Sequence, residues 1–492
     1  MSLNRSLAEL LCERASKSGA RLALIDASTG LETSYEALLK SALSWAAWFR
    51  AAPLPFPRRI AAALPNSVTY AQALCGAALA PVGVLPLNPS FTDAQLAALS
   101  TRFGAGAILV PPHRAEAMRA ATTLPVVSVG RTGELPSGLP PPGPQVEVPP
   151  DTECLLILTS GTTGGIKACR LVQNRMAWTS SVAGQAFGAH ENRRYLTPLP
   201  LFHMNAQVIG LWTSIQAGGA LGLAESLPAS KLWEAAALCR AEGMSTVPTL
   251  LRDLLARDGK PPECLKFMVT SSAPLAADTH AQLLSRFGVE VRHCYGMSET
   301  SGFIAFTKEQ DSVPLGSCGR ALGYRVKVVD DTGAEVSSGT TGAILVQGPG
   351  LMTEYVGDES ATAATIQNGW LRTGDVGFVD ASGAVFLRAR EKDLINRGGE
   401  KIAPVEIEEV IAKHPSVAEV CVFSVPDARY GEAVAAAIVT REGASANADA
   451  LVDFALEHLS EFQVPEHWHF MPALPKGGTG KVLRRVLCEQ FK

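Results

Sequence analysis

The sequence contains no long apolar run, since no stretch approaches the roughly 18 uncharged apolar residues that mark a membrane-spanning helix. It also lacks the pattern of a signal peptide, because charged side chains such as Arg5, Glu9 and Lys17 are interleaved with leucines near the amino terminus. That spacing predicts an amphipathic helix. We therefore expect no membrane span and a cytoplasmic location.

The sequence has no strong excess of charge, since 43 basic residues stand against 47 acidic ones and the formal net charge is -4. This balance provides no broad electrostatic surface for nucleic acid, so any anionic ligand must be bound locally. The ten cysteines are scattered and include no C-x-x-C pair. Their distribution favours a reduced, cytosolic compartment.

No internal repeat of about 20 to 50 residues is present, which excludes solenoids and propellers. Short apolar runs typical of strands alternate instead with Ala/Leu-rich segments typical of helices, for example residues 155–158, 266–271 and 343–348 against 229–243. This alternation predicts an α/β protein. The chain length predicts more than one domain.

Two connections are visible in the composition. Residues 111–150 become rich in Pro and Gly, and their second half is predicted to be a surface segment that leads into a buried strand. A boundary is predicted near Arg390, after which a charged cluster, a Gly-Gly turn and a helix opened by Pro404 begin a smaller α/β unit.

The most informative segment is LLILTSGTTGGIKACRL, residues 155–171, in which a predicted buried strand runs into a loop of Ser, Thr and Gly closed by Lys167. Glycines let backbone N–H groups converge on phosphate oxygens, hydroxyls donate further hydrogen bonds, and the lysine adds positive charge. The loop is not a Walker A motif, because Ala168 follows the lysine where that motif has Ser or Thr. These features predict a phosphate-binding loop.

Four further segments follow in order: VRHCYGMSET (291–300), WLRTGDVGFVD (370–380), AREKDLINRGGEKIAPVEIEE (389–409) and LPKGGTGKVLRR (474–485). Together with residues 155–171 they resemble the ordered motifs of the adenylate-forming superfamily, which contains acyl- and aryl-CoA synthetases, carrier-loading adenylation domains and luciferases. The resemblance covers nearly the whole chain. It implies a large N-terminal domain of several subdomains (residues 1–389), a hinge (residues 390–392, with Lys392 at the hinge) and a small, mobile α+β C-terminal domain (residues 393–492).

The resemblance implies an ATP site. The glycines and hydroxyls of the loop in residues 155–171, together with Lys167, would hold the β- and γ-phosphates. The ring of Tyr295 would stack on adenine, and Asp375 would accept hydrogen bonds from the ribose hydroxyls. Glu299 would bind Mg²⁺, which prefers oxygen ligands. The sequence departs from the family pattern at Ile166, Ala168, Ser298 and Ala389. The implied nucleotide-binding residues are Thr159, Ser160, Gly161, Thr162, Thr163, Gly164, Lys167, Ser272, Ala273, Pro274, Tyr295, Gly296, Met297, Ser298, Asp375, Arg390 and Lys481.

The resemblance also implies two exchanging loops. Lys481 would bridge the substrate carboxylate and the α-phosphate, where two anions must be neutralised in the transition state. Thr163, Glu299 and His203 complete the implied catalytic set. After the acid has been joined to AMP, the small domain would turn and replace the Lys481 loop by a CoA-binding loop. The glycines of this loop would leave room for the narrow pantetheine arm to pass. That loop consists of Arg397, Gly398, Gly399 and Glu400.

The acyl pocket implied by the resemblance contains no Lys or Arg, which disfavours a dicarboxylic acid relative to an aliphatic or aromatic monoacid. No Asp is available for an α-amino group, which disfavours an amino acid. His203 would contact the substrate carboxylate. The predicted lining is His203, Asn205, Gln207, Val247, Gly296, Met297, Phe303 and Ile304.

Three hypotheses follow from these patterns. The first is an acyl- or aryl-CoA ligase that uses ATP, Mg²⁺ and coenzyme A on a small carboxylic acid. The second is a separate enzyme that loads an acid onto a carrier protein, and the third is a nucleotide-binding protein without catalysis. Lys167, Glu299, Asp375 and Lys481 together argue against the third. We expect no nucleic-acid partner, and the sequence leaves open whether the chain forms a homodimer.

Overall fold

The computed structural model describes residues 3–131, 138–160, 166–225, 227–271, 275, 277–308, 313–444, 447–476 and 482–492. The chain divides into two compact units, the first comprising Met1–Arg325 and Val346–Leu371, the second Val326–Leu345 and Arg372–Lys492. The predicted α/β class is confirmed, because strands and helices alternate along the chain. The predicted hinge and the mobility of residues 393–492 stay predictions.

A large sheet of the first unit contains the strand predicted at residues 266–271. Its central strands run parallel, so their carboxyl ends lie at one edge, which is where ligands bind in open α/β sheets. In spatial order the strands are Arg320–Ala321, Ala305–Phe306, Glu290–Tyr295, Phe267–Thr270, Gly243–Thr246, Arg194–Thr197, Ala220–Leu223, Leu22–Asp26 and Glu32–Ser34.

A second sheet of the same unit carries the predicted phosphate-binding segment. The strand Glu153–Ser160 pairs antiparallel with Ile166–Val172, and Glu354–Tyr355 pairs with the latter strand. In spatial order the strands are Glu354–Tyr355, Ile166–Val172, Glu153–Ser160, Gly83–Pro86, Arg59–Ala62, Ile108–Val110 and Val126–Ser128.

Helices pack against both sheets of the first unit. The predicted amphipathic helix is Leu7–Ser18, and Ser6 caps its amino terminus. The Ser6 hydroxyl accepts a hydrogen bond from the Glu9 backbone N–H, and the Glu9 carboxylate accepts one from the Ser6 backbone N–H, which is a capping box. No helix in the described ranges is both long and apolar enough to cross a membrane. The other helices are Tyr35–Ala51, Val68–Leu79, Asp93–Arg102, Ala115–Ala121, Gln173–Ala186, Ala206–Trp212 (a π-helix), Thr213–Ala217, Leu232–Cys239, Pro248–Leu255, Ala277–Phe287 and Glu359–Thr365.

A third sheet contains the three strands in which the chain passes from one unit to the other. Its strands are Arg325–Val329, Gly342–Gln347, Trp370–Val379, Ile366–Gln367 and Val385–Arg390.

The sheet that lies wholly in the second unit is built around a long antiparallel pair, Val417–Asp427 and Gly431–Thr440. The remaining strands are Ile395–Arg397, Glu400–Ile402 and His467–Phe470. The helices are Pro404–Ile411, which proline opens as predicted, Ala448–Leu456 and Arg484–Gln490.

Candidate active site

The predicted phosphate-binding segment follows a buried strand, as the sequence indicated, and Thr159 lies opposite Lys167 in the returning strand. The Lys167 side chain is only 12% exposed. Its ammonium lies 4.9 Å from the centre of the Tyr355 ring and 4.0 Å from the Asp358 carboxylate. A partly desolvated cation attracts an anion more strongly than a fully hydrated one, so Lys167 is suited to bind phosphate. Ser160 ends the first strand, and Gly161, Thr162, Thr163 and Gly164 lie outside the described residues.

A buried carboxylate, Glu299, contacts the same tyrosine. Glu299 Oε1 accepts a hydrogen bond from the Tyr355 hydroxyl at 2.7 Å. Burial, and then the charge of Glu299, raise the pKa of Tyr355, so its hydroxyl keeps the proton that it donates. The backbone N–H of Met352 donates to the Glu299 carbonyl oxygen at 2.7 Å, which anchors the turn. Tyr355 therefore contacts both the predicted phosphate-binding lysine and the predicted metal-binding carboxylate.

The segment YGMSET leaves the large sheet at Tyr295 and turns at Gly296. A Cβ at Gly296 would lie 1.9 Å from the carbonyl oxygen of Gly302, so this close approach requires glycine. The N–H of Ile304 donates to the Tyr295 carbonyl oxygen at 2.8 Å, which closes the turn. Met297 precedes a single helical turn, Ser298–Thr300, that carries Glu299. Three of the implied nucleotide-binding residues lie outside the described ranges: Ser272, Ala273 and Pro274.

His203 lies beyond the carboxyl end of a parallel strand and packs against Phe202, with ring centroids 4.3 Å apart. Burial lowers the pKa of His203 from 6.5 to about 4. The imidazole is therefore neutral at physiological pH, and it can offer a hydrogen bond to a carboxylate without adding positive charge.

Replacing His203 by phenylalanine is expected to remove a pH-dependent loss of stability. In the unfolded chain the imidazole gains its proton below about pH 6.5, whereas burial opposes protonation in the fold. The unfolding free energy of the wild type should therefore fall by up to about 3 kcal/mol as the pH drops from about 6.5 to about 4. Above that window both states are neutral and the group has no effect.

Denaturant midpoints of the wild type and His203→Phe, measured across this pH window, test the prediction. Replacement of the exposed His113 by phenylalanine is the matched control and should keep the wild-type pH dependence. An unchanged pH dependence in His203→Phe would contradict the assignment.

Other predicted acyl-pocket residues follow the carboxyl ends of the parallel strands. The Asn205 amide donates to Ser271 Oγ at 2.8 Å, which links the segments that follow two different strands. Gln207 is placed differently, because its amide donates to the Leu201 carbonyl oxygen at 2.7 Å and its side chain lines a small cavity together with Leu7. The remaining members are buried: Val247, Phe303 and Ile304.

The second unit contains two of the implied nucleotide-binding residues, Asp375 and Arg390. Asp375 lies opposite Arg390 on paired strands, and the Arg390 Nε atom is 2.8 Å from Asp375 Oδ1. The Asp375 side chain is buried, so the guanidinium fixes its orientation. Lys392 lies in the single helical turn Glu391–Asp393.

The predicted CoA-binding loop is a tight turn in which Arg397 pairs with Glu400. Gly398 and Gly399 have φ angles of 63° and 100°, which side chains other than glycine rarely adopt. A Cβ at Gly398 would lie 3.2 Å from the Tyr430 ring, and the Arg397 guanidinium lies 4.9 Å from the centre of that ring. The two glycines therefore leave the tip of the turn without side chains. Lys481 lies outside the described residues.

Sequence motifs did not identify three residues that the structure places beside the predicted site: Tyr355, Ser245 and Tyr430. Each contacts a predicted residue from a distant part of the chain, as Tyr355 does with Glu299, 56 positions away. No periodicity or local motif could have linked them, since sheet order creates these contacts.

Comparisons with known proteins agree with this geometry. The family described as AMP-binding enzyme matches residues 11–356, and the AMP-binding enzyme C-terminal domain matches residues 406–481. A probable CoA ligase of Humulus lupulus is 31% identical over 455 residues, covering 88% of this chain and 86% of that protein. A sulfoacetate–CoA ligase of Cupriavidus necator is 31% identical over 501 residues, covering 98% and 97%. The crystal structure of ATP-bound MatB from Rhodopseudomonas palustris matches with a TM-score of 0.92 at 27% identity, covering 100% and 99%.

Proposed function

The chain belongs to the family of AMP-binding enzymes, and on that premise we propose that it is an ATP-dependent acid–thiol ligase of the acyl- or aryl-CoA synthetase type. The predicted membership of the adenylate-forming superfamily is confirmed. The enzyme uses ATP and coenzyme A. Its acid is a small aliphatic or aromatic monoacid.

The observation that supports this proposal best is the arrangement around Tyr355. Its ring lies beside the Lys167 ammonium and its hydroxyl binds the Glu299 carboxylate. A cation for phosphate and a buried carboxylate for a divalent metal are the two charges that nucleotide activation needs. Glu299 would hold Mg²⁺, because a carboxylate supplies the hard oxygen that this ion prefers. When bound there, Mg²⁺ supplies charge neutralisation for the polyphosphate.

In the first step a carboxylate oxygen attacks the α-phosphorus, the bond to pyrophosphate breaks, and acyl-AMP forms. Lys167 holds the departing phosphates, Asp375 holds the ribose, and Lys481 neutralises the two approaching anions. His203 contacts the carboxylate as a neutral group.

In the second step the thiol sulfur of coenzyme A attacks the acyl carbon, loses its proton, and AMP leaves as the thioester forms. A free thiol is mostly protonated at neutral pH, so its approach must be well positioned. After the C-terminal domain (residues 393–492) has turned about Lys392, the Arg397–Glu400 loop guides the pantetheine arm past Gly398 and Gly399.

Acid-dependent exchange of labelled pyrophosphate into ATP tests the first step. We expect exchange with at least one small monoacid, and a loss of about 100-fold in Lys167→Ala. Lys231→Ala is the control, because its exposed ammonium pairs with Glu234 on the surface and exchange should be unchanged. Failure of every acid in a broad panel would refute adenylation.

The thiol acceptor is tested by AMP release. Coenzyme A should accelerate AMP release with the acid that supports exchange. Acceleration by a carrier protein, with no response to coenzyme A, would identify a carrier-loading enzyme instead.

A further inference from the structure

A chain of buried polar side chains connects the large sheet with the segment that carries His203. We call it the Asn205 relay, consisting of Tyr195, Ser245, Asn205 and Ser271. Tyr195 Oη lies 3.0 Å from Ser245 Oγ, Ser245 Oγ donates to Asn205 Oδ1 at 2.7 Å, and Asn205 Nδ2 donates to Ser271 Oγ at 2.8 Å. Each member is less than a tenth exposed. Such a network holds its members in fixed orientations.

The hydroxyl protons determine the direction of the relay. Ser245 has one proton and gives it to Asn205, so the Tyr195 hydroxyl must donate to Ser245. The Asn205 carbonyl oxygen thus accepts a bond, and one of its two amide N–H bonds is used by Ser271. The second N–H has no acceptor among the described residues. A buried donor without an acceptor lowers the stability of the fold, so we expect this N–H to bind an acceptor on a ligand.

The position of Asn205 indicates what that partner is. Its neighbour in sequence, Met204, packs against Gly302, where a Cβ would lie 3.7 Å from the Met204 methyl group. Gly302 in turn lies against Gly296. Ser271, at the other end of the relay, directly follows the strand Phe267–Thr270. Asn205 therefore lies where the predicted acyl pocket, the YGMSET turn and a parallel strand end meet.

We propose that Asn205 is a specificity-determining residue that selects carboxylic acids bearing a neutral oxygen acceptor, such as an ether, hydroxyl or carbonyl oxygen, beyond the carboxylate. This inference rests on the adenylation function proposed above. An acid without such an oxygen leaves the N–H buried and unpaired, and a site built around a hydrogen bond rejects an analogue that lacks it. The relay holds the amide so that it presents the donor.

The test uses pairs of acids that differ only by exchange of an oxygen for CH2. Methoxyacetate is compared with butyrate, and each methoxybenzoate with the corresponding ethylbenzoate, by kcat/KM in pyrophosphate exchange. For the series that fits the pocket, we expect the wild type to prefer the oxygen-bearing member by at least about tenfold. Asn205→Leu should bring the ratio to one or below.

Variants of the relay separate positioning from general damage. Tyr195→Phe and Ser245→Ala keep the shape of the site but remove hydrogen bonds that fix the orientation of the Asn205 amide. The preference for the oxygen-bearing acid should therefore fall by about two- to fivefold. Ser180→Ala removes a buried hydroxyl that bonds to the Met176 carbonyl oxygen within a helix, and it should leave the ratio unchanged.

The wild-type ratio alone decides the proposal if Asn205→Leu does not fold. A ratio within about twofold of one in every pair overturns the inference while leaving adenylation intact. A wild-type ratio retained in Asn205→Leu overturns it equally. Absence of exchange with all acids refutes the proposed function itself, which is a distinguishable result.

Discussion

Lys481→Ala is expected to lower acyl-adenylate formation by about three orders of magnitude while leaving thioester formation from a supplied acyl adenylate within about twofold of the wild type. The two half-reactions differ in their need for charge. In the first, a carboxylate anion attacks an anionic phosphate, and a lysine ammonium lowers that barrier. In the second, a thiol attacks an activated acyl carbon, and the implied role of Lys481 is already complete.

Pyrophosphate exchange measures the first half-reaction, and release of AMP from synthetic acyl adenylate with coenzyme A measures the second. Lys476→Ala is the matched control, because this lysine lies in the same sequence motif but pairs with Glu419 at 2.7 Å. Lys476 also pairs through its backbone with Val482. The control should affect neither step. Equal loss of both steps in Lys481→Ala would refute the assignment.

The parts of the site that the sequence could predict are those encoded locally. Residues 155–158 are uniformly apolar, and the structure places them in a buried strand that leads into the predicted phosphate-binding loop. Pro404 marks the first turn of a helix because its fixed φ suits that position. The turn at Gly398 could be predicted from the Gly-Gly pair, since its backbone conformation is one that glycine adopts without strain.

Contacts between distant segments could not be predicted in the same way. Asn205 contacts Ser245 because the strand that precedes Asn205, Arg194–Thr197, pairs in parallel with the strand Gly243–Thr246 that contains Ser245. Nothing in the residues around either position specifies that pairing. Tyr355 reaches Glu299 because its short strand pairs beside Cys169, close to Lys167. Motifs thus identify the charged groups of the site, whereas sheet order selects the neutral groups that orient them.

Glu299→Gln is expected to lower adenylation by at least about 100-fold and to raise the Mg²⁺ concentration for half-maximal rate, because an amide keeps the shape of the carboxylate without its charge. Tyr355→Phe should have a smaller effect of the same kind. It removes the 2.7 Å hydrogen bond that orients Glu299 but keeps the aromatic ring beside Lys167. A hydrogen bond to a charged group contributes about 1.5–3 kcal/mol, so we expect about a tenfold rise in the Mg²⁺ requirement.

Tyr355→Leu separates the two contacts of the tyrosine, because it removes the ring as well as the hydroxyl. If the ring positions Lys167, this variant should also raise the KM for ATP, whereas Tyr355→Phe should leave the KM near the wild-type value at saturating Mg²⁺. Calorimetric titration of Mg·ATP into each variant in a Lys481→Ala background measures binding without turnover. Identical Mg²⁺ dependence in the wild type and Tyr355→Phe would show that Glu299 needs no orientation by the Tyr355 hydroxyl. The loss of adenylation in Glu299→Gln would then arise from the loss of charge alone.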